Sequence, residues 1–208
     1  MGRIVVMNHV TLDGVMQGPG RPEEDTRGGF VHSGWGRWSG EGDATEIQQA
    51  MGRRMAAGGG LAGWLFGRRT YEGLLSYWNS PEARSPEFGP MLNSSPKYVA
   101  STTLQEPLPW PNSTLLRGDI TEAVSELKAR SAGVLGIMGS AALIGSLMAA
   151  ELIDEYLLMI HPIVLGSGQR LYPPGVRARL RLAESVTTTT GVMIATYERA
   201  AAVREAVS

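Results

Sequence analysis

The sequence predicts one α/β domain built on a mixed, mostly parallel sheet with helices on both faces. Three observations lead there. Short apolar runs at 3–10, 64–66, Lys97–Ala100 and 134–138 alternate with stretches of helical periodicity, the pattern that builds parallel strand–helix–strand units. From residue 156 onward the alternation stops, and strand-like runs at 156–165, Leu180–Thr187 and 192–197 follow one another around a Thr-rich turn at Gly191, adding antiparallel strands. The 208 residues are 43% hydrophobic and 19% charged, enough for one sizeable core and too apolar for a disordered chain.

Each element has a local reason. Residues 3–10 are apolar and rich in β-branched side chains, as a buried strand requires, and Thr11-Leu12-Asp13-Gly14 ends them. Residues 14–42 carry many Gly, Pro and charged residues with little periodicity; a loop of that length in a compact domain is functional or mobile. Residues 43–55 read as a helix, with Ile47, Met51 and Met55 four apart on one face, and 56–60 break it. Gly67 closes the strand 64–66, and Thr70 is placed to cap a helix reaching Tyr77. Pro81, Pro86 and Pro90 mark 79–95 as loop. Asp119 and Glu122 form a capping-box pattern for a helix that turns Ala123, Val124 and Leu127 inward and ends on Lys128 and Arg130, favourable at its negative end. Gly139-Ser140 opens a helix whose apolar face is Leu143, Ile144, Leu147 and Met148. Pro162 removes a ladder donor from the next run, which predicts an edge or a bulge. The domain is expected to span 1–199, with 200–208 an Ala-rich tail.

Composition excludes several functions. A net charge of −1 gives no electrostatic reason for a nucleic-acid or acidic-membrane partner. Without Cys there is no thiolate metal site, cysteine nucleophile or disulfide. No apolar run reaches the length of a membrane helix, and the chain enters a strand at once, so a cytoplasmic protein is expected. His9, His32 and His161 are widely spaced, and no metal site is expected; His9 and His161 sit in apolar strands, where a core or pocket-lining histidine is the simple reading. Gly-x-Gly-x-x-Gly, Walker-type and Gly-x-Ser-x-Gly patterns are all absent, which argues against an ordinary Rossmann site, a P-loop and a serine hydrolase.

The 27 glycines direct attention to strand ends, because glycine lets a backbone approach a ligand. In open α/β sheets ligands bind beyond the carboxyl ends of the strands. Gly67-Arg68-Arg69-Thr70, Ala100-Ser101-Thr102-Thr103 and Met138-Gly139-Ser140-Ala141 all fall there, with small residues, hydroxyls, backbone amides and two guanidinium groups suited to phosphate. Taken singly, each is an ordinary turn; together they suit a nucleotide.

These segments, in this order, carry a resemblance. Thr11-Leu12-Asp13-Gly14, Leu65-Phe66-Gly67-Arg68-Arg69-Thr70-Tyr71-Glu72, the run from Lys97 to Leu104, Gly139-Ser140, Leu152-Ile153-Asp154-Glu155-Tyr156 and Pro162-Ile163-Val164-Leu165-Gly166-Ser167-Gly168 resemble the dihydrofolate reductase-like superfamily. The similarity is strongest to stand-alone proteins akin to the C-terminal reductase domain of the bacterial riboflavin-biosynthesis deaminase–reductase, and it covers about 3–198. The resemblance implies a three-layer α/β/α fold and NADPH across the strand ends. It assigns Gly67, Arg68, Arg69 and Thr70 to the pyrophosphate and 2′-phosphate, Ser101 and Thr102 to the adenosine side, and Gly139, Ser140 and Ala141 to the turn under the pyrophosphate. Asn8 and His9 then pass the nicotinamide, and Asp13 begins a mobile covering loop. It also implies a homodimer through the C-terminal strands.

Two departures stand out. Met138 occupies a position that is often glycine in the family, and the first-helix acid of folate reductases has no secure match, Asp43 and Glu46 being the candidates by position. The expected activity is hydride transfer from NADPH to a small pterin- or pyrimidine-like heterocycle or another C=N or C=C acceptor, with an NADP(H)-binding protein without turnover as the alternative. Catalytic candidates are Asp13 and Glu46. Trp35 and Trp38 either wall the substrate pocket or anchor the long loop.

Overall fold

The computed structural model describes residues 1–39, 43–83 and 88–200; Pro86 and the tail from 201 lie outside them. Chain order is β1 (Arg3–Thr11), α1 (Ala44–Ala57), β2 (Leu61–Gly67), α2 (Arg68–Trp78), α3 (Phe88–Ser94), β3 (Lys97–Ala100), β4 (Ser113–Leu116), α4 (Ile120–Arg130), β5 (Val134–Ile137), α5 (Ala141–Ala149), β6 (Glu155–His161), β7 (Leu180–Thr187) and β8 (Met193–Arg199). The strands form one sheet in the order β4-β3-β2-β5-β1-β6-β8-β7. The first six strands in this order pair in parallel, and β8 runs antiparallel to both β6 and β7. This is the predicted mixed sheet.

Strand alternation sorts the core into two layers. Ile4, Val6 and Val10 of β1 face α4 and α5, meeting Val124, Leu127, Ile144 and Leu147. Val5 and Met7 face the other way, where Ile47, Met51 and Met55 of α1 and Leu75 of α2 cover the sheet. The predicted apolar stripe of α1 is therefore the face it buries. Its far end is pinned by Glu155, whose fully buried carboxylate at the start of β6 is held by Arg54 of α1 and Arg3 of β1. Removing one partner of such a buried pair costs about 3–5 kcal/mol. With that end fixed, Asp43 and Glu46 in the first turn lie at the carboxyl ends of the strands.

Several local readings change. Gly67, not Thr70, is the cap position of α2, and Thr70 lies inside the helix. Within the predicted loop 79–95 the chain forms α3; Pro90 is tolerated in its first turn. The carbonyls at the end of α3 are collected by the buried Lys97 ammonium, which donates to Leu92 at 2.6 Å, Ser95 at 2.8 Å and Asn93 at 3.3 Å. Burial draws the Lys97 pKa down to about 8. β4 is too short to show a period. Pro162 marks neither an edge nor a bulge: β6 lies inside the sheet and stops at His161, one residue before the proline. The Asp119 cap forms as expected, its carboxylate accepting from the amides of Thr121 and Glu122.

Candidate active site

Two helices begin side by side where β2 and β5 end. The Gly67 amide donates to Ser140 Oγ at 3.0 Å, and the Ser140 amide donates to Thr70 Oγ1 at 2.9 Å, so the β2–α2 and β5–α5 turns are stitched together. Gly139 and Ser140 both lie in the left-handed region, with φ of +59° and +61°. Ser140 accepts this because its hydroxyl is used inside the turn, donating to the Met138 carbonyl at 3.2 Å. Asn8 of β1 locks the same turn, accepting from the Gly139 amide at 2.6 Å.

The electrostatics of this junction differ from those of the other long helices. α4 has Asp119 and Glu122 at its positive end, and α1 has Asp43 and Glu46. α2 and α5 have no acid in the first turn and no side-chain cap, so their orphan amides and partial positive charge remain unanswered. Gly67 adds room. A Cβ there would find only Ser140 Oγ at 3.8 Å and Cβ at 3.9 Å, and its φ of −77° suits any residue. The fold itself therefore does not require glycine at 67. A pyrophosphate approaching the backbone would require it, and the chemistry of the junction fits that group. Arg69 is exposed, and Arg68 stands 4.0 Å from Glu72 one turn along. Ser101 and Thr102 follow β3 next door, with Ser101 Oγ accepting from the amides of Thr103 and Leu104.

On the α1 face of the sheet the character reverses to acceptors. Asp43 is 4% exposed; its Oδ2 accepts from the Thr190 hydroxyl in the β7–β8 turn, while Oδ1 is buried with no hydrogen-bond partner. Glu46 Oε2, one turn on, is buried and equally unpartnered. Unsatisfied buried acceptors are costly and cluster at functional sites. Beside them His9 Nδ1 lies 2.8 Å from His161 Nε2, and the Trp35 ring stands edge-on to His161 at 5.2 Å. Desolvation by burial, with a smaller contribution from the neighbouring His161 ring, lowers the His9 pKa to about 3; burial, partly offset by Asp43, lowers that of His161 to about 4.

The remaining nominated residues divide. Asp13 is not poised for acid–base work. Its carboxylate clasps two loops, accepting from Thr11 Oγ1 at 2.6 Å, Gly166 N at 2.8 Å and Leu165 N at 3.2 Å, with Arg170 at 3.6 Å. Partial desolvation is outweighed by these hydrogen bonds, which hold its pKa below the usual carboxylate value. Trp35 is fully buried, its indole donating to the Gln17 carbonyl at 2.7 Å, and with Val15 and Phe30 it gives the long loop a small core of its own. It anchors the loop and walls the histidine pair at once. Trp38 is 62% exposed against His32 and takes no part in that wall. Met138 joins the α1-side core, and Ala141 is the first residue of α5. Thr190 was not nominated; a hydroxyl in a Thr-rich turn gives no sign of which carboxylate it will meet. Among the described residues no group of three or more acids or histidines is arranged to hold a metal, and no helix is long and apolar enough to cross a membrane.

The family model of the RibD C-terminal domain matches residues 3–194. The chain belongs to the RibD C-terminal domain family. In Bacillus subtilis (strain 168) the "Uncharacterized protein YyaP" is 31% identical over 137 residues, 64% of this chain and 71% of that protein. Among solved structures, a putative riboflavin biosynthesis protein from Shewanella sp. PV-4 superposes with a TM-score of 0.69 at 21% identity, covering 96% of this chain and 99% of that one. Dihydrofolate reductase from Enterococcus faecalis, complexed with NADP(H) and RAB-propyl, gives 0.57 at 13% identity over 95% and 96% of the two chains. A pyrimidine reductase-like protein from Corynebacterium diphtheriae gives 0.58 at 11% over 97% and 93%. At these identities the structural likenesses establish the dihydrofolate reductase-like fold.

Proposed function

We propose that this RibD C-terminal domain protein is an NADPH-dependent reductase of a small nitrogen heterocycle. The observation that carries the reading is the junction at Gly67 and Ser140, where two acid-free helix N-termini meet around an open backbone cradle. Family membership supports a reductase, and the NADP(H)-bound relative of the same fold supports the cofactor. When bound, the cofactor supplies the hydride.

The chain's own residues do the rest. The α2 and α5 amides, with Thr70, Ser140 and Gly139, receive the pyrophosphate; Arg68 and Arg69 offer charge-assisted bonds to a 2′-phosphate, and Ser101 and Thr102 border the adenosine. Asn8 holds the β5–α5 turn in register, so that the dinucleotide runs across the end of β1 toward His9. The unpartnered oxygens of Asp43 and Glu46 recognise ring N–H or amino groups, which selects an amino- or amide-bearing heterocycle rather than a plain quinone. Trp35 excludes water from behind the site.

The test is loss of NADPH absorbance in the near ultraviolet against a panel of dihydropterins, aminopyrimidinones and quinones, with Kd for NADPH and NADH measured by calorimetry. Oxidation with the heterocycles and a preference for NADPH of roughly tenfold to a hundredfold, reduced by Arg69→Gln, is expected. Equal affinities would remove the 2′-phosphate assignment, and binding without turnover across the panel would leave a cofactor-binding protein.

A further inference from the structure

We propose that Thr190 is a positioning residue: its hydroxyl diverts the Asp43 carboxylate from capping α1 and holds it on the acceptor-rich face of the sheet. The use of that carboxylate in recognition rests on the function proposed above. The hold itself is a property of the fold and is tested without a ligand.

Asp43 occupies the N-cap position of α1, where Asp is among the most favoured residues. An N-cap residue takes an extended backbone and turns a side-chain oxygen back onto the second or third amide of its helix. Asp43 does neither: its φ of −92° and ψ of −4° are helical, and its carboxylate makes no cap bond. Asp119 shows the ordinary behaviour at the same position of α4. Its backbone is extended, with φ of −69° and ψ of 119°, and its carboxylate accepts from Thr121 N at 2.8 Å and Glu122 N at 3.0 Å. One residue type at one position thus behaves in two ways within the chain. What separates them is Thr190 in the β7–β8 turn, whose Oγ1 donates to Asp43 Oδ2.

The turn gives Thr190 a fixed place and a fixed direction. Thr188 N donates to the Val192 carbonyl at 2.9 Å and Gly191 N to the Thr188 carbonyl at 3.1 Å, which closes the hairpin. The Val192 amide also donates to Thr188 Oγ1 at 3.0 Å, and the Thr188 and Thr190 hydroxyls lie 3.3 Å apart. A carboxylate only accepts, so the one hydroxyl proton of Thr190 is committed to Asp43, and Thr188 supplies the proton between the two hydroxyls. A one-way chain therefore runs from the Val192 amide through Thr188 and Thr190 to Asp43. Each donor in such a chain polarises the next and strengthens the last bond. Thr188 and Asp43 are 7% and 4% exposed, so water competes weakly at both ends. With Oδ2 fixed in this way, the place of Oδ1 is fixed as well. Asp43 then has two positions: held by Thr190 on a helical backbone, or released to an extended backbone in which it caps Thr45 and Glu46. One hydroxyl from the far end of the sheet selects between them.

Amide hydrogen exchange, read by NMR on the full chain without added ligand, tests the hold. In the wild type the Thr45 and Glu46 amides should exchange freely, while Thr121 and Glu122 of α4 are protected. In Thr190→Val, close in shape but without the hydroxyl, Asp43 falls back onto its helix, and exchange at Thr45 and Glu46 should slow about fivefold. Thr190→Ser should restore the wild-type rates. Unchanged exchange at Thr45 and Glu46 in Thr190→Val, or slowed exchange persisting in Thr190→Ser, overturns the hold. The wild type alone gives a second reading if Thr190→Val does not fold: the Thr188 and Thr190 hydroxyl protons should exchange slowly enough to be observed on cooling, and their absence overturns the chain. Reduction of 6-methyl-7,8-dihydropterin by NADPH then separates the hold from its use. Release of the carboxylate should raise KM about tenfold, with a smaller change in kcat. A wild-type KM in a Thr190→Val protein whose α1 amides have slowed supports the hold and refutes the recognition role given to Asp43 in the proposed function.

Discussion

Gly67 and Gly139 sit on opposite strands of the same junction, and the structure assigns them opposite costs. At Gly139 a Cβ would lie 2.8 Å from Thr70 Cγ2 and 2.9 Å from Oγ1, on a backbone with φ of +59°. The left-handed conformation costs a non-glycine residue about 1–2 kcal/mol, and forcing Thr70 aside adds about 1–3 kcal/mol. Gly139→Val should therefore lose about 2–5 kcal/mol, a fall in Tm of roughly 4–20 °C for a chain of this size. The sequence alone leads to the expectation that this substitution harms cofactor binding far more than folding; the contact with Thr70 corrects it, because Gly139 is required by packing whether or not a ligand binds. Gly67 is the cleaner probe. Its φ is ordinary and its nearest prospective contacts are 3.8 Å away. The entropic gain of Gly→Ala, about 0.4–1 kcal/mol, nearly cancels the poorer helix cap. Gly67→Ala should hold Tm within roughly 3 °C while weakening NADPH at least tenfold, since the new methyl occupies the space the pyrophosphate needs. Differential scanning fluorimetry and calorimetric titration on the same preparation separate the two effects. An unchanged NADPH affinity in stable Gly67→Ala would refute the cradle at the β2–α2 turn.

Two further outcomes are expected. Because the His9 and His161 pKa values fall to about 3 and 4, the unfolded chain binds protons below about 6.5 that the folded chain refuses; stability is full above that pH and declines as pH falls toward 4. The slope is about 1.4 kcal/mol per pH unit per histidine, and urea midpoints at stepped pH should show it in the wild type and lose it in the His9→Gln/His161→Gln double variant. We also expect a homodimer through the C-terminal strands, since β7 is a sheet edge exposed along nearly its whole length with Leu182 48% and Val186 44% accessible; light scattering should give twice the chain mass, and Leu182→Glu/Val186→Lys should give the monomer. A wild-type monomer at micromolar concentration would rule that assembly out.

The sequence revealed most of the scaffold because its signals there are local. The capping box at Asp119, the stripe Ile47-Met51-Met55 and the apolar run of β1 each depend on a few consecutive residues, and each folds as read. α3 was hidden because its stability is borrowed from a charge beyond its own seven residues: a stretch this short with an internal proline is a poor helix until the Lys97 ammonium, three residues past its end, gathers its last carbonyls. The strand-end segments were legible as glycines and hydroxyls, but the absence of acids from the first turns of α2 and α5 acquires meaning only once the two helices are seen to start together. The acceptor-rich face beside α1 was the least legible. Asp43 as a helix-start acid has nothing unusual in its neighbours; what distinguishes it is a buried oxygen without a donor, which depends on Thr190, 147 positions away, bonding the other one.

The two halves of the site are joined by consecutive residues of one strand. Asn8 and His9 point to opposite faces because side chains in a strand alternate. Asn8 therefore reaches the donor-rich β5–α5 turn, and His9 reaches His161 on the α1 face, among acceptors. On the function proposed above, a dinucleotide across the end of β1 would pass from a region of unanswered amides, suited to phosphate, to a region of unanswered carboxyl oxygens, suited to a neutral or cationic ring. That polarity would orient such a ligand before any single contact selected it. It also explains why β1 sits between parallel partners on both sides, in register with β5 over Arg3 to Val6 and with β6 over Val5 to Thr11. A slip of one residue would exchange Asn8 and His9, directing the imidazole at the Gly139 turn and the amide at His161, and neither half of the site would survive it.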